Sequence, residues 1–157
     1  DCDGCALMSD IFNTRFEISI RLLLLLDEVG VKISSTRASL LDFVATYGKD
    51  FGIAENNLHG NNSFSFSEYS SRKKATDGAF KILVLEEYAS PLYSKSGFSY
   101  KISCKGKQFC QQLNDDYADI YRRNIQHAQD AFDKYSDRAL MRHINDYALV
   151  KLKGDSV

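Results

Sequence analysis

The chain has 157 residues, 44% apolar and 26% charged, with one proline and a formal net charge of −1. That is enough sequence to bury one globular core, and its longest apolar run, residues 22–26, is far short of the roughly 18 residues that cross a bilayer, so the expectation is a water-borne, cytoplasmic protein. The near-zero charge excludes a protein that coats nucleic acid with its whole surface, but the charge is uneven: residues 1–66 carry 5 basic and 9 acidic side chains, residues 67–107 carry 8 and 4, and residues 108–157 carry 7 and 8.

Residues 1–8, DCDGCALM, run into a Met8-Ser9 pair and read as a vector-derived or misassigned leader, outside the fold. Cys2 and Cys5 lie in it. With Cys104 and Cys110 they do not have the spacing of a zinc knuckle, so the four cysteines read as free thiols in a reducing compartment.

The first helix follows, in NTRFEISIRLLLLLDEVG. Asn13 or Thr14 caps it, with Glu17 at capping-box distance from Thr14, and Gly30 ends it. Its apolar residues at 16, 18, 20 and 22–26 cover more than one face, which predicts burial on most sides. A second helix starts at Ser34 or Ser35. Leu40, Leu41, Val44 and Tyr47 form its stripe, its acidic and small residues face away, and Gly48 stops it.

Gly and Asn cluster at 56–62 as a polar loop, and SFSFS reads as a short strand or as the lead into a third helix. That helix is capped by Ser67, or by Ser65 with Glu68, and buries Tyr69, Ala75 or Thr76, Ala79, Phe80, Leu83 and Val84. Gly78 inside it costs about 1 kcal/mol relative to Ala, which points to close packing. Two alternating runs around Ser-Lys-Ser-Gly then make a hairpin, with Gly97 supplying the positive φ of its turn and Tyr93, Phe98, Tyr100 and Ile102 on a pleated surface.

Three helices, a hairpin and a further helix are the order of a winged helix-turn-helix. The predicted fold is therefore α+β and mostly α, with a winged-helix domain over residues 9–110 and a C-terminal helical extension over 111–153. In the extension, Leu113, Tyr117, Ile120, Asn124, His127, Ala131 and Tyr135 recur at steps of three and four, a coiled-coil-like seam. Ser136 breaks it and caps a last helix bearing Leu140, Ile144, Tyr147 and Ala148.

Catalytic signals are absent from the pattern. His59, His127 and His143 are scattered, and there is no H-E-x-x-H, Gly-rich phosphate loop or G-x-S-x-G. Adjacent Asp115 and Asp116 sit about 100° apart on a helix and do not form an acid/base pair. Asp119, on the Asp115 face, reads as solvated. No enzyme, cofactor, metal site or small-molecule substrate is expected.

Two sets of residues do carry a signal. Arg72, Lys73, Lys74 and Lys81 on the third helix, with Lys95, Lys101, Lys105 and Lys107 on and beside the wing, are candidates to neutralise phosphates. Only Arg72 among them suits base readout; otherwise the set is a solvated face with an edge strand guarded by lysines. In the extension, Tyr117, Ile120, Tyr121, Phe132, Tyr135, Ile144 and Tyr147 are candidate partner anchors, because interfaces favour such aromatic residues. Folding back as core is the competing explanation.

FNTRFEISIRLLLLL, NLHGNNSFSFSEYSSRK, GFSYKISCKGKQF and YADIYRRNI together resemble the middle component of bacterial ABC-three-component systems. Within these they are most similar to the small C subunit of Lamassu anti-phage and anti-plasmid complexes. The resemblance covers most of residues 11–125, with Asn13, Arg15, Phe16, Glu17, the 58–60 loop, Arg72 and the wing at 97–100 matching as scaffold positions. It implies a non-catalytic adaptor that bridges an SMC/Rad50-like ATPase and a nuclease effector, and couples DNA sensing to effector release. The alternative from the residues alone is an autonomous winged-helix transcriptional regulator that binds DNA and dimerises through its C-terminal helices.

Overall fold

A computed structural model describes residues 14–60 and 66–155. The leader, Cys2, Cys5, the Asn13 and Ser65 caps and most of SFSFS lie outside the described residues. Among these residues the chain forms six helices and one three-stranded sheet, an α+β fold that is mostly helical.

Helix α1 (Arg15–Val29) is the central rod. Thr14 Oγ1 accepts the Glu17 amide at 3.2 Å to start it, and Gly30, at φ 71°, ends it in the left-handed conformation that glycine adopts without strain. Its run of leucines at 22–26 is buried on all sides, as an apolar girdle with no solvated face must be. Strand β1 (Ile33–Ser34) is too short to show alternation and was not legible in the sequence. Ser34 also caps α2 (Ser35–Thr46), accepting the Arg37 amide at 3.1 Å.

Helix α2 differs from its expected face. Ala38, Ser39, Asp42 and Ala45 are buried along with Leu40, Leu41 and Val44, because α2 lies between α1, α3 and the C-terminal helices. Helix α3 (Phe66–Leu85) begins before Ser67, which is therefore not its cap. Gly78 is not tightly packed: a Cβ there would meet only the Arg15 side chain, at 3.6 Å.

Strands β2 (Ala89–Ser94) and β3 (Gly97–Ile102) form the hairpin, with Ser94 opposite Gly97 and Pro91 opposite Tyr100. Gly97 has φ 113° at the turn. Strand β1 joins the other edge of β3, pairing Ile33 with Tyr100, so the antiparallel order is β1-β3-β2 and β2 is an edge. The inner face of the hairpin enters the core through Ala89 and Ile102, while the Tyr100 ring stacks on Phe80 at 4.2 Å.

Ser103 caps α4 (Cys104–Gln111), which Gly106 brings against the chain after α3. A Cβ on Gly106 would lie 2.3 Å from the Tyr88 carbonyl oxygen and 2.8 Å from Ile102. Cys104 is exposed and Cys110 buried, both free thiols, and burial pushes the Cys110 thiol up to about 12. Helices α5 (Asp116–Phe132) and α6 (Asp137–Asp155) follow, capped by Asp115 and Ser136.

The seam on α5 is displaced from the expected one. Ala118, Tyr121, Asn124, Ile125, Ala128 and Phe132 are buried; Asn124 belongs to the expected seam, and the others form a stripe rotated by one residue, about 100°, from Tyr117, Ile120, His127 and Ala131. Helix α5 packs on α1 and α2, and α6 on α2, so both share the core of the preceding elements.

Candidate functional site

Two regions stand out: a buried ionic joint among four helices, which takes in Arg72 and Tyr121, and a groove beside the hairpin, which Lys81 borders.

The joint centres on Asp42. Arg21 Nε of α1 donates to its Oδ1 at 3.0 Å, Tyr121 Oη of α5 donates to the same oxygen at 2.7 Å, and Arg72 Nη2 of α3 lies 4.0 Å from Oδ2. Arg72 also donates to Thr46 Oγ1 at 2.7 Å and lies over the Phe43 and Tyr47 rings at 5.5 and 5.7 Å. Asn124 of α5 donates to the Ala45 carbonyl at 3.0 Å. One carboxylate thus ties α1, α2, α3 and α5 together.

Burial by itself would raise the Asp42 carboxyl; the Arg21 and Arg72 charges and the bonds from Arg21 and Tyr121 outweigh it and hold it below its usual range. Burial and the Asp42 charge raise the Tyr121 hydroxyl well above its usual value, so it stays a donor. At the rim, Glu17 reaches Arg21 at 3.9 Å. His59 and Tyr117 stack nearly parallel, with His59 Nε2 and Tyr117 Oη 2.7 Å apart. Burial, then the Arg21 and Arg72 charges, push His59 down to about 3, which leaves it neutral, and burial pushes Tyr117 up to about 12.

These positions revise several sequence expectations. Arg72 faces into the core and is not presented to a phosphate. Tyr121, Phe132 and Ile144 are buried core residues, because α5 and α6 fold back on α1 and α2; they are not surface anchors in this conformation. Tyr117 is half-buried against His59, and Tyr147 is half-buried with its ring 5.2 Å from Phe51. Only Ile120 and Tyr135 of that set are exposed. The joint itself was missed. Its signal was present as Arg21 within ISIRLLLLL and Asp42 within LLDFV, each a charge set in an apolar run.

The cationic set is divided in the same way. Lys73 is engaged by Asp77 at 2.9 Å and by Ser35. Lys105 donates to the Glu86 carbonyl at 2.8 Å and lies 4.7 Å over the Tyr88 ring. Lys74, Lys81, Lys95, Lys101 and Lys107 are exposed.

Lys81 borders the second region, a groove of about 790 Å³ between α3 and the hairpin. Val84, Leu85, Pro91, Phe98 and Tyr100 make its apolar lining, with Ser34, Asp77 and Ser96 around it. The hairpin outruns the core here, so the tip of its inner face is uncovered, with Tyr93 78% and Phe98 56% exposed and their rings 5.1 Å apart, and Leu85 at the end of α3 is 80% exposed. No group of three or more His, Cys, Asp or Glu side chains placed to hold a metal ion occurs among the described residues, and no helix among them is long and apolar enough to cross a membrane.

The profile of the family described as ABC-three component (ABC-3C) system Middle Component 2 matches residues 11–153, nearly the whole chain, and the chain belongs to that family. Comparison with curated proteins and with solved structures finds no match.

Proposed function

We propose, from membership in the Middle Component 2 family, that the chain is a non-catalytic adaptor of an ABC-three-component defence complex, built on a winged-helix scaffold. Its partners in this reading are an SMC/Rad50-like ATPase and a nuclease effector, which it bridges so that DNA sensing by the complex releases the effector. The order helix, strand, helix, helix, hairpin, with β1 paired to β3, supports the winged-helix reading. The likeness of the wing and α1 segments to the Lamassu C subunit supports the placement within the family.

The observation that carries the adaptor reading is the group of exposed apolar side chains at the hairpin tip, Tyr93 and Phe98, and at the end of α3, Leu85. Exposed apolar side chains clustered among polar residues are a feature of protein-docking surfaces. Direct DNA contact is the second reading, favoured by exposed Lys74, Lys81, Lys95, Lys101 and Lys107. It is the weaker one, because Arg72, the residue suited to base edges, is engaged inside the core.

Binding of the isolated chain to the purified ATPase and to random-sequence and genomic duplexes, at two salt concentrations, separates these readings. The adaptor reading expects a stable protein complex and, at most, weak duplex binding that fades with salt. Tight sequence-specific duplex binding, without affinity for the ATPase, would overturn it.

A further inference from the structure

We propose that the cavity between the 52–58 loop and α5 binds a small molecule that carries an anionic group at one end and N–H donors at the other. The inference stands apart from the adaptor reading, and the cavity shares no lining residue with the groove beside the hairpin.

The cavity holds about 660 Å³, within the range of small-molecule sites. Its loop wall is fixed at several points. The Gly48 carbonyl accepts the amides of Ile53 and Ala54 at 2.9 and 3.2 Å, and the Leu58 amide reaches the Thr46 carbonyl at 3.0 Å. The Asn57 side chain accepts the Lys49 amide at 3.0 Å and donates to Asp50. His127 of α5 clasps the same loop, its Nδ1 donating to the Ile53 carbonyl at 3.0 Å. A wall held in this way keeps its shape for a ligand and spares the ordering cost of binding.

The polar groups around the cavity are left incomplete. Arg123 of α5 makes no hydrogen bond or ion pair among the described residues, whereas its neighbour Arg122 is committed to the Leu113 and Cys110 carbonyls at 2.7 Å each. A carbonyl only accepts, so the bond to Ile53 fixes the proton of neutral His127 on Nδ1. Nε2 is left open, one helical turn from Arg123, to share a proton with a bound acid group. On the loop, the amides of Glu55, Asn56 and Asn57 have no acceptor among the described residues, although Asn57 is only 8% exposed. A buried amide without a partner costs free energy that an acceptor on a ligand recovers.

These groups select the ligand. A free guanidinium and a row of successive amides suit an anion. Glu55 lines the same cavity without pairing to Arg123, so it is left to accept from an N–H donor. Ile53, Leu58 and Ile120 offer apolar surface to the body of the molecule. A mononucleotide and a short peptide both have this chemistry, and differ in whether a phosphate or a carboxylate meets Arg123. A nucleic-acid strand does not, because its further phosphates would crowd the Glu55 carboxylate.

The test follows the amide NMR signals of the full chain during titration with AMP and with leucyl-leucine, and with their anion-free counterparts, adenosine and leucyl-leucine amide. One of the two anions should give saturable shifts confined to residues 52–58 and 120–127, with a Kd of about 1 mM or tighter. Whichever binds assigns the anion as phosphate or carboxylate, and its anion-free counterpart should bind about tenfold more weakly. Arg123→Gln should weaken the bound probe about tenfold. His127→Asn, which keeps a donor for the Ile53 carbonyl and removes Nε2, should weaken it several-fold. Arg123 is exposed and unpaired, so Arg123→Gln is expected to keep the wild-type thermal midpoint and carries the test if His127→Asn lowers it.

No saturable binding of either anion overturns the inference. Shifts centred outside the cavity, or binding undiminished by Arg123→Gln, overturn it likewise. The adaptor reading stands or falls separately, on affinity for the ATPase.

Discussion

Arg21 and Asp42 are the two residues whose loss the helical core should feel most. Each is fully enclosed, and Asp42 takes hydrogen bonds from α1 and α5 while Arg72 of α3 stands beside it. Removing one side of a buried pair leaves the other charge enclosed and undercompensated. Asp42→Asn is therefore expected to cost about 3–5 kcal/mol and Tyr121→Phe about 1–3 kcal/mol, read as shifts in the urea midpoint at constant m-value. Equal, small losses in both would show that the carboxylate is not the hub.

The same residues set the acid side of the stability profile. His59 binds its proton in the folded chain only near pH 3, against an ordinary value of 6.5. Below 6.5 the unfolded chain thus takes up a proton that the folded chain refuses, so this contribution is complete above 6.5 and is lost as pH falls toward 3. Asp42, also held below its usual value, adds a further loss of stability with the same sign below about 3.8. His59→Phe keeps a ring against Tyr117 and removes the titration, so the fall in stability between pH 6.5 and 4 should flatten. An unchanged slope in that variant would assign the loss to other groups.

At the scale of elements, two helix glycines that look alike in sequence should behave oppositely. Gly106→Ala would drive a Cβ into the Tyr88 carbonyl and Ile102, and overpacking of this kind costs about 1–3 kcal/mol. Gly78→Ala meets only the flexible end of Arg15 and should be neutral or stabilising, by up to about 1 kcal/mol. Thermal unfolding of the two variants checks the pair, and a destabilised Gly78→Ala would mean that α3 packs more closely than its geometry implies.

What was legible at this scale followed local chemistry. The Thr14, Ser34 and Ser136 caps depend on a hydroxyl and the amide three residues on, and the Gly30 stop and the Gly97 turn on a positive φ that a residue without a Cβ adopts freely. Strand β1 was not legible, because two residues carry no periodicity and Ile33 pairs only through β3, far along the chain. On α5, the expected stripe through Tyr117, Ile120, Asn124, His127 and Ala131 runs one residue away from the buried apolar stripe Ala118, Tyr121, Ile125, Ala128 and Phe132. Asp42, reaching the Tyr121 hydroxyl from α2, marks the buried stripe, and no pattern within α5 contains that contact.

For the whole molecule, the charge asymmetry of the sequence divides into separate roles. Of the basic residues between 67 and 107, Arg72 joins the core, Lys73 and Lys105 are held by neighbours, and the others stand at the surface. The expected partner anchors divide as well, with Tyr121, Phe132 and Ile144 inside and Ile120 and Tyr135 outside. Position in the fold separates core from surface: large exposed apolar side chains stand near the hairpin at Leu85, Leu92, Tyr93 and Phe98, and along the C-terminal segment at Ile120, Tyr135, Leu149 and Val150. Composition could not make that distinction, since an aromatic residue looks the same in a core and at an interface.

Co-expression of the ATPase and effector with and without this chain, followed by affinity purification on the ATPase, tests the bridging role directly. The adaptor account predicts that the effector is recovered with the ATPase only when the chain is present. Equal recovery of the effector in its absence would contradict it.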